Sequence, residues 1–139
     1  MQVRVFAPAD EADVIGLWEA CDLLRPWNDP KRDIARKLKM QPELFLVGEI
    51  DGTVMASAMA GYDGHRGWVY YLAVSPEHQG AGHGRTLMDE VEARLLAIGC
   101  PKLNLQVRST NRAVIDFYEG IGYRSDEVIG LGKRLIPDD

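Results

Sequence analysis

The feature that most constrains this chain is a glycine-rich loop between a short apolar run and a helical pattern, within residues 70–99. The run 71–74 has the character of a strand, the loop 79–84 reads Gln-Gly-Ala-Gly-His-Gly, and apolar residues then recur at helical spacing up to Gly99. The first N–H groups of a helix lack intrahelical partners, and the helix dipole adds about half a positive charge there. Glycine admits φ > 0 and lets an anion approach such groups closely. The segment therefore predicts an anion-binding site of the kind that holds phosphate.

The spacing of the loop argues against two common phosphate sites. A dinucleotide fingerprint requires a third glycine where Arg85 stands, and a P-loop requires Gly-Lys-Ser/Thr, which the chain lacks. The alternative without function is that the glycines only form a turn before a helix.

The remaining hydrophobic patterns predict a mixed α/β fold. Asp51-Gly52 between two apolar runs is a strong hairpin signal, and Asp29 before Pro30 is a helix start. Because a helix joins the strand before the glycine loop to the strand after it, these two strands are expected to be parallel. Predicted strands are residues 3–6, 44–50, 53–62, 68–74, 103–107 and 127–135; predicted helices begin after Asp10, Asp29, the glycine loop and Asn111, and the second runs to Lys39.

Length and charge fit one enzyme domain spanning residues 1–139. The net charge of −5 argues against nucleic acid as a partner. No apolar run is long enough to span a membrane, and no signal segment is recognisable, so we expect a cytoplasmic protein. Cys21 and Cys100 lie on apolar stripes and are expected to be free, buried thiols.

Two motifs resemble the GNAT superfamily of N-acetyltransferases. The family's acyl-CoA loop is a strand ending in valine, four residues, and Gln/Arg-Gly-x-Gly-x-Gly/Ala, which matches Val74 and residues 79–84 at every position. The family's last helix is similar to the segment that begins at Asn111, where Val114 replaces the usual alanine; its matched positions are Asn111, Ile115, Tyr118, Gly122 and Tyr123. Segments 23–30, 61–67 and 131–135 also resemble small stand-alone bacterial members of the superfamily.

The resemblance implies a GNAT fold, with about four helices and a mixed sheet of six to seven strands that splays between the fourth and fifth. It implies acetyl-CoA as the donor and a small amine or a protein amine as the acceptor, with no metal; a homodimer stays open. Tyr118 would protonate the departing thiolate. The implied cofactor-binding residues are Leu72, Ala73, Val74, Gln79, Gly80, Ala81, Gly82, His83, Gly84, Arg85 and Asn111.

Three questions stay open at the level of sequence. The acceptor is expected to contact Trp27, Asn28, Tyr62 and His65, although Trp27 could instead fill the space between two helices. The fourth strand carries no carboxylate to act as a base, which leaves water or Glu49, Asp63, His65 or Glu77. The second candidate function is therefore a non-catalytic acyl-CoA-binding sensor or interaction module, and Tyr118 could be a core residue.

Overall fold

The computed structural model describes residues 1–138, in which five strands form one sheet in the order β1-β2-β3-β4-β5. Neighbouring strands are antiparallel, except that β4 and β5 are parallel, as predicted from the helical crossover. The elements in chain order are β1 (Gln2–Val5), α1 (Glu11–Ala20), α2 (Pro30–Lys37), β2 (Phe45–Ile50), β3 (Thr53–Tyr62), β4 (Gly67–Val74), α3 (His83–Ala97), β5 (Leu103–Asn104) and α4 (Arg112–Gly120).

Local sequence signals account for the turns and helix starts. Asp51 and Gly52 both have positive φ, 51° and 78°, as the two-residue turn of a β-hairpin requires. The Asp29 carboxylate accepts hydrogen bonds from the N–H groups of Lys31 and Arg32, which confirms the predicted N-cap. Helix α2 ends at Lys37 rather than Lys39, because the N–H groups of Lys39 and Met40 bond to carbonyls three positions back and tighten the chain into a turn.

Helices pack on the two faces of the sheet and bury two apolar clusters. Helices α1 and α2 cover one face, where Trp18 and Ile34 are almost completely buried. Helix α3 covers the other face through Leu87, Met88 and Val91, and α4 adds Tyr118 to this second cluster. The residues of β4 that lie between these layers are therefore held from both sides.

The prediction of a strand at residues 127–135 is wrong, and β5 is shorter than the predicted 103–107. The sheet therefore has five strands within residues 1–138 instead of six to seven. The side chains of Val128, Ile129 and Leu131 are 79–93% exposed, so their apolar surface is not buried against the rest of the described structure. Gly130 and Gly132 further weaken strand formation in this segment.

The C-terminal segment is instead attached to α2 by ion pairs and hydrogen bonds. The Asp138 carboxylate lies 2.7 Å from the Arg36 guanidinium and accepts a 2.9 Å hydrogen bond from the N–H of Asp29. Arg134 bonds to the side chain of Asn28. Arg36 and the Asp29 N–H lower the pKa of Asp138 to about 2, so this carboxylate stays charged at neutral pH.

Two further expectations concern membranes and thiols. Within residues 1–138 no helix has the length and apolar character that crossing a bilayer requires. Cys21 and Cys100 are both free, as predicted, but only Cys100 is buried and Cys21 is half-buried. The Cys21 thiol donates to the Val74 carbonyl, and burial raises its pKa, so it is not an activated nucleophile.

Candidate active site

The parallel strands β4 and β5 separate soon after they begin. They pair only at Gly67 with Leu103 and at Trp68 with Asn104, whereas β4 continues to Val74. The splay between the fourth and fifth strands is therefore confirmed. Leu72, Ala73 and Val74 lie in the part of β4 that has lost its parallel neighbour. Their backbone offers an edge to which an extended, amide-bearing ligand can bond.

The glycine loop follows the free end of β4 and presents unpaired N–H groups. Within residues 1–138, none of the backbone N–H groups of residues 79–85 donates to a backbone carbonyl. The Gln79 side-chain amide donates to the Val74 carbonyl at 2.9 Å, which fastens the loop to the end of β4. Helix α3 begins at His83, so its free N–H groups and its positive dipole end face the same space.

The three glycines of the loop have different physical roles. Gly80 and Gly82 have φ of +81° and +83°, and a Cβ on either would meet no atom within 4 Å. These two are needed for the path of the backbone and leave open space above the loop. A Cβ on Gly84 would lie 3.0 Å from the Phe117 ring, so this glycine lets α4 pack closely on the first turn of α3.

Strand β4 contains a bulge where the strands separate. The register with β3 shifts between Ser57 and Met59, and Tyr71 has φ of +54°. A positive φ is rare for a bulky side chain and costs of order 1–3 kcal/mol, so the surroundings must hold it in place. Such strain is concentrated at functional sites, and here it lies next to Leu72.

Three contacts hold the bulge. The Tyr71 ring stacks on Trp18 with centroids 3.8 Å apart, and its hydroxyl donates to the Asp33 carboxylate at 2.6 Å. The Tyr71 carbonyl accepts a 2.8 Å hydrogen bond from the Ser57 hydroxyl. Burial and the Asp33 carboxylate raise the pKa of Tyr71, so its hydroxyl remains a donor. Asp33 thus places a carboxylate of α2 beside β4. Asp33 and Tyr71 are 38 residues apart, and the sequence did not reveal that they are in contact.

Tyr118 lies in the apolar cluster beneath α3, with 8% of its surface exposed. Its ring meets that of Tyr123 edge to face, with centroids 5.6 Å apart. Burial raises the pKa of the phenol, so Tyr118 is protonated at neutral pH, as a general acid must be. The same burial makes the phenol a weaker acid. Transfer of its proton is favourable only to a leaving group that is desolvated as well.

Asn111 caps helix α4. Its side-chain oxygen accepts a 3.3 Å hydrogen bond from the N–H of Val114. The residue therefore sets the start of the helix that carries Phe117 and Tyr118. Its amide nitrogen is a second polar group on this side of the fold, and a ligand could use it without disturbing the cap.

The carboxylates and histidine considered as bases lie in other settings. Glu49 is paired with Arg4 at 3.2 Å, and Asp63 accepts from the N–H groups of His65 and Arg66 within its own turn. His65 is exposed in that turn, and Glu77 is exposed in the short turn that precedes the loop. None of the contacts found for these four residues is with the β4 bulge, whereas Asp33 touches Tyr71 there.

The residues expected to meet the acceptor fall into two groups. Trp27 is 52% exposed, so it does not fill the space between α1 and α2, and the Arg108 guanidinium lies 5.8 Å from the centre of its ring. Trp27 and Asn28 precede α2, whereas Tyr62 bonds to Gln41 beyond its other end. Since eight helical residues rise about 12 Å, α2 separates Trp27 from Tyr62 and His65.

An open cavity of about 670 Å³ lies on the Trp27 side. It is lined by Trp27, Arg36 and residues 132–136, including Lys133 and Arg134. Arg36 lies 3.5 Å from Asp33, which in turn holds the Tyr71 hydroxyl. A chain of two contacts therefore joins the cavity to the bulge. Sequence patterns could not reveal this cavity, because its walls come from segments about 100 residues apart.

Solved structures with the same fold define the class of protein. A putative acetyltransferase from Agrobacterium tumefaciens superposes with a TM-score of 0.77 over 96% of this chain and 100% of that chain, at 18% identity. AAC(6')-Iy, solved with the bisubstrate analogue CoA-S-monomethyl-acetylneamine, has a TM-score of 0.75 at 16% identity and covers 96% of this chain and 97% of its own. The chain has the fold of the acetyltransferases.

Sequence comparison identifies the family. The model described as the acetyltransferase (GNAT) family matches residues 13–123. An acetyltransferase of Yersinia pestis (strain Pestoides F) is 55% identical over 138 residues, which cover 99% of this chain and 98% of the relative. The chain belongs to the GNAT family, and it is an acetyltransferase.

Proposed function

We propose that residues 1–139 form one N-acetyltransferase domain that transfers the acetyl group of acetyl-CoA to a primary amine. The observation that carries this proposal is the row of unpaired N–H groups at residues 79–85, directly after the strand that loses its parallel neighbour. An anionic diphosphate suits those N–H groups, and an amide-bearing pantetheine arm suits the free edge of Leu72, Ala73 and Val74. The match to AAC(6')-Iy, whose structure contains a CoA conjugate, supports the same donor.

The chemistry proposed is direct attack on the thioester. The neutral amine nitrogen attacks the acetyl carbon, and the carbonyl oxygen becomes an oxyanion that a backbone N–H of β4 can stabilise. The C–S bond then breaks, the amide forms, and the sulfur leaves as a thiolate. Tyr118 gives its proton to that thiolate, the amine loses its proton to water, and water returns a proton to the Tyr118 phenolate before the next turnover. Asn111 would contribute its free amide nitrogen to the bound coenzyme.

We place the acceptor in the cavity beside Trp27 and Asn28, since that cavity connects to the bulge through Arg36 and Asp33. Its lining carries Arg36, Lys133 and Arg134, against which stand two carboxylates: Asp33 and Asp138 both contact Arg36, and Asp138 also lies near Arg134. An excess of positive charge favours an acceptor that carries a negative group besides its amine, such as an amino acid or an acidic peptide. Tyr62 and His65 border the opposite end of α2, where they could meet only a longer acceptor.

The first test measures whether the glycine loop holds the donor. Acetyl-CoA is expected to raise the melting temperature of the wild type by several degrees, since ligand at a hundredfold over Kd stabilises by about 2.7 kcal/mol. Gly82→Glu should abolish this rise, because the variant places a carboxylate where the diphosphate would bind. Gly52→Glu is the matched control, since Gly52 has a similar φ of +78° and open surroundings but lies in the β2–β3 turn. Equal shifts in both variants would contradict the site.

The second test measures turnover. Thiol release from acetyl-CoA is followed with three matched acceptor sets: amino acids, the amines that remain after removal of their carboxylate, and short peptides with acidic or basic second residues. We expect release with carboxylate-bearing amines to exceed release with their uncharged counterparts. A protein that binds acetyl-CoA but releases no thiol with any amine would instead support a non-catalytic acyl-CoA-binding module.

A further inference from the structure

Two of the residues that hold the bulge of β4, Trp18 and Ser57, lie in the core. The Trp18 indole N–H donates to the Ser57 hydroxyl oxygen at 2.9 Å, and the Ser57 hydroxyl donates to the Tyr71 carbonyl at 2.8 Å. Ser57 and Trp18 both have 0% of their surface exposed. A polar side chain that is completely buried requires hydrogen-bond partners. One partner of Ser57 is Tyr71, the residue with the strained backbone.

The direction of these bonds is fixed by the chemistry of the donors. An indole N–H can only donate, so Trp18 occupies an acceptor site of the Ser57 oxygen. Ser57 has one proton, and the structure places the Tyr71 carbonyl in its path. The pair therefore orients a single peptide group, that between Tyr71 and Leu72.

A trans peptide carries its C=O and N–H in opposite directions. Because the Tyr71 carbonyl is turned toward Ser57 on β3, the Leu72 N–H is turned toward the other edge of β4. On that edge β5 pairs only as far as Trp68, so no strand formed by residues 1–138 lies opposite Leu72. The N–H thus points into the gap between the separated strands.

We propose that Ser57, held by Trp18, is a positioning residue that aims the Leu72 N–H at the acyl carbonyl oxygen of the donor. This inference rests on the proposed use of acetyl-CoA. Ser57 touches no reacting atom. Its effect passes through the Tyr71 carbonyl to the N–H on the far side of the same peptide. That N–H bonds the thioester oxygen in the ground state and more strongly when the oxygen becomes negative.

The test compares Ser57→Ala, which removes the hydroxyl, with Ser57→Thr, which keeps it. The acetyl carbonyl of ¹³C-labelled acetyl-CoA is observed by difference infrared spectroscopy when bound to each protein. In the wild type and in Ser57→Thr the carbonyl band should lie below its frequency in water. In Ser57→Ala it should move back to higher frequency, while the affinity for CoA without the acetyl group stays within twofold in all three.

Kinetics provide a second readout with whichever amine gives turnover. Loss of a whole oxyanion donor lowers kcat about 10²- to 10³-fold, and a misdirected donor should cost about tenfold or more. We therefore expect Ser57→Ala to lower kcat with little change in the KM for acetyl-CoA, and Ser57→Thr to restore it. A residue that only supported the core would lower stability and leave both the carbonyl band and kcat of the folded fraction unchanged.

The outcomes separate the two proposals. If wild-type protein does not bind acetyl-CoA, the proposed function fails, and this inference fails with it. If the wild type binds and Ser57→Ala gives the wild-type carbonyl band, the inference alone is overturned. Should Ser57→Ala not fold, Ser57→Cys keeps a side chain of similar size and replaces the hydroxyl with a weak S–H donor. An intermediate band shift in that variant would support the relay, and an unshifted band would contradict it.

Discussion

At the scale of single residues, Tyr118 combines two roles that the sequence could not separate. It belongs to the apolar cluster beneath α3, and it carries a hydroxyl whose pKa is raised by burial. A buried phenol keeps its proton at every physiological pH. The packing role and the proposed acid role are therefore compatible, and a variant that keeps the ring distinguishes them.

Tyr118→Phe is expected to lower kcat about 10²-fold while leaving acetyl-CoA affinity unchanged, because only the proton donor is lost. The loss is limited because a thiol near pKa ~8.5 is a fair leaving group without assistance. Thiol-release kinetics and thermal shift with acetyl-CoA measure the two effects separately.

The matched control is Tyr123→Phe. Tyr123 contacts Tyr118 edge to face, and its hydroxyl donates to Glu92 at 2.6 Å, so this variant removes a neighbouring phenol hydroxyl outside the proposed reaction path. We expect near wild-type turnover for Tyr123→Phe. If Tyr118→Phe turned over as fast as Tyr123→Phe, Tyr118 would be a packing residue and another group would protonate the thiolate.

Residues whose partners are near in sequence were predictable, and those with distant partners were not. Gly82 has a positive φ, and Asp29 caps N–H groups two and three residues ahead of it. Both effects stay within a few residues, so the local sequence was sufficient to predict these two local conformations. Ser57 acts through Trp18 and Tyr71, 39 and 14 residues away, and Asp33 acts through Tyr71, 38 residues away. Nothing in the local sequence of a serine on a strand or an aspartate on a helix indicates such partners.

At the scale of elements, the segment before α2 and the C-terminal segment together form the proposed acceptor cavity. Trp27 is a large aromatic residue with half of its surface exposed, and the cavity beside it is lined by residues 132–136. Asp138 joins the two segments through Arg36 and the Asp29 N–H. An exposed aromatic beside cations is suited to recognition of a small ligand.

Trp27→Ala is expected to raise the acceptor KM about tenfold or more, since it removes a contact of roughly 1–3 kcal/mol, while acetyl-CoA binding stays unchanged. Met40→Ala is the control, because Met40 is 69% exposed beyond the other end of α2. Steady-state kinetics with varied acceptor measure the effect. A normal acceptor KM in Trp27→Ala would place the acceptor elsewhere, with the Tyr62 and His65 side of α2 as the next candidate.

The same scale explains which elements could be predicted. The β2–β3 hairpin and the start of α2 are encoded by a turn and a cap, which are local signals. The strand expected at residues 127–135 had an apolar pattern, but it pairs with no strand among residues 1–138, and the backbone bond found there is local, between Val128 and Asp126. An apolar pattern forms a strand only when a sheet edge is available to pair with it, and the position of that edge could not be predicted from the local sequence.

At the scale of the whole molecule, one ion cluster joins β1 to the start of α1 and to β2. The Arg4 guanidinium on β1 bonds the Asp10 carboxylate at 2.7 and 3.0 Å, and its Nη2 lies 3.2 Å from Glu49 on β2. Asp10 immediately precedes α1 and also accepts from the N–H of Ala7. None of the contacts found for this cluster is with the glycine loop, so it can be tested through stability without changing a contact of the proposed site.

The hydrogen bonds from Arg4 and the N–H of Ala7 lower the pKa of Asp10 below that of an unfolded aspartate, near ~3.9. A group with a depressed folded pKa contributes stability above its unfolded pKa, and that contribution is lost as the pH falls through the folded value.

Asp10→Asn should therefore lower the free energy of unfolding by about 1–3 kcal/mol at pH 7, the size of hydrogen bonds to charged groups. Urea unfolding at pH 7, 5 and 3 should show the same deficit at pH 7 and 5, and a smaller one at pH 3, which lies below the pKa of an unfolded aspartate, so that unfolding of the wild type takes up a proton there. Asp51→Asn is the control, because asparagine suits the hairpin turn as well as aspartate does, and its stability should follow the wild type at all three pH values. A deficit for Asp10→Asn that stayed constant down to pH 3 would show that shape and packing, rather than charge, make Asp10 stabilising.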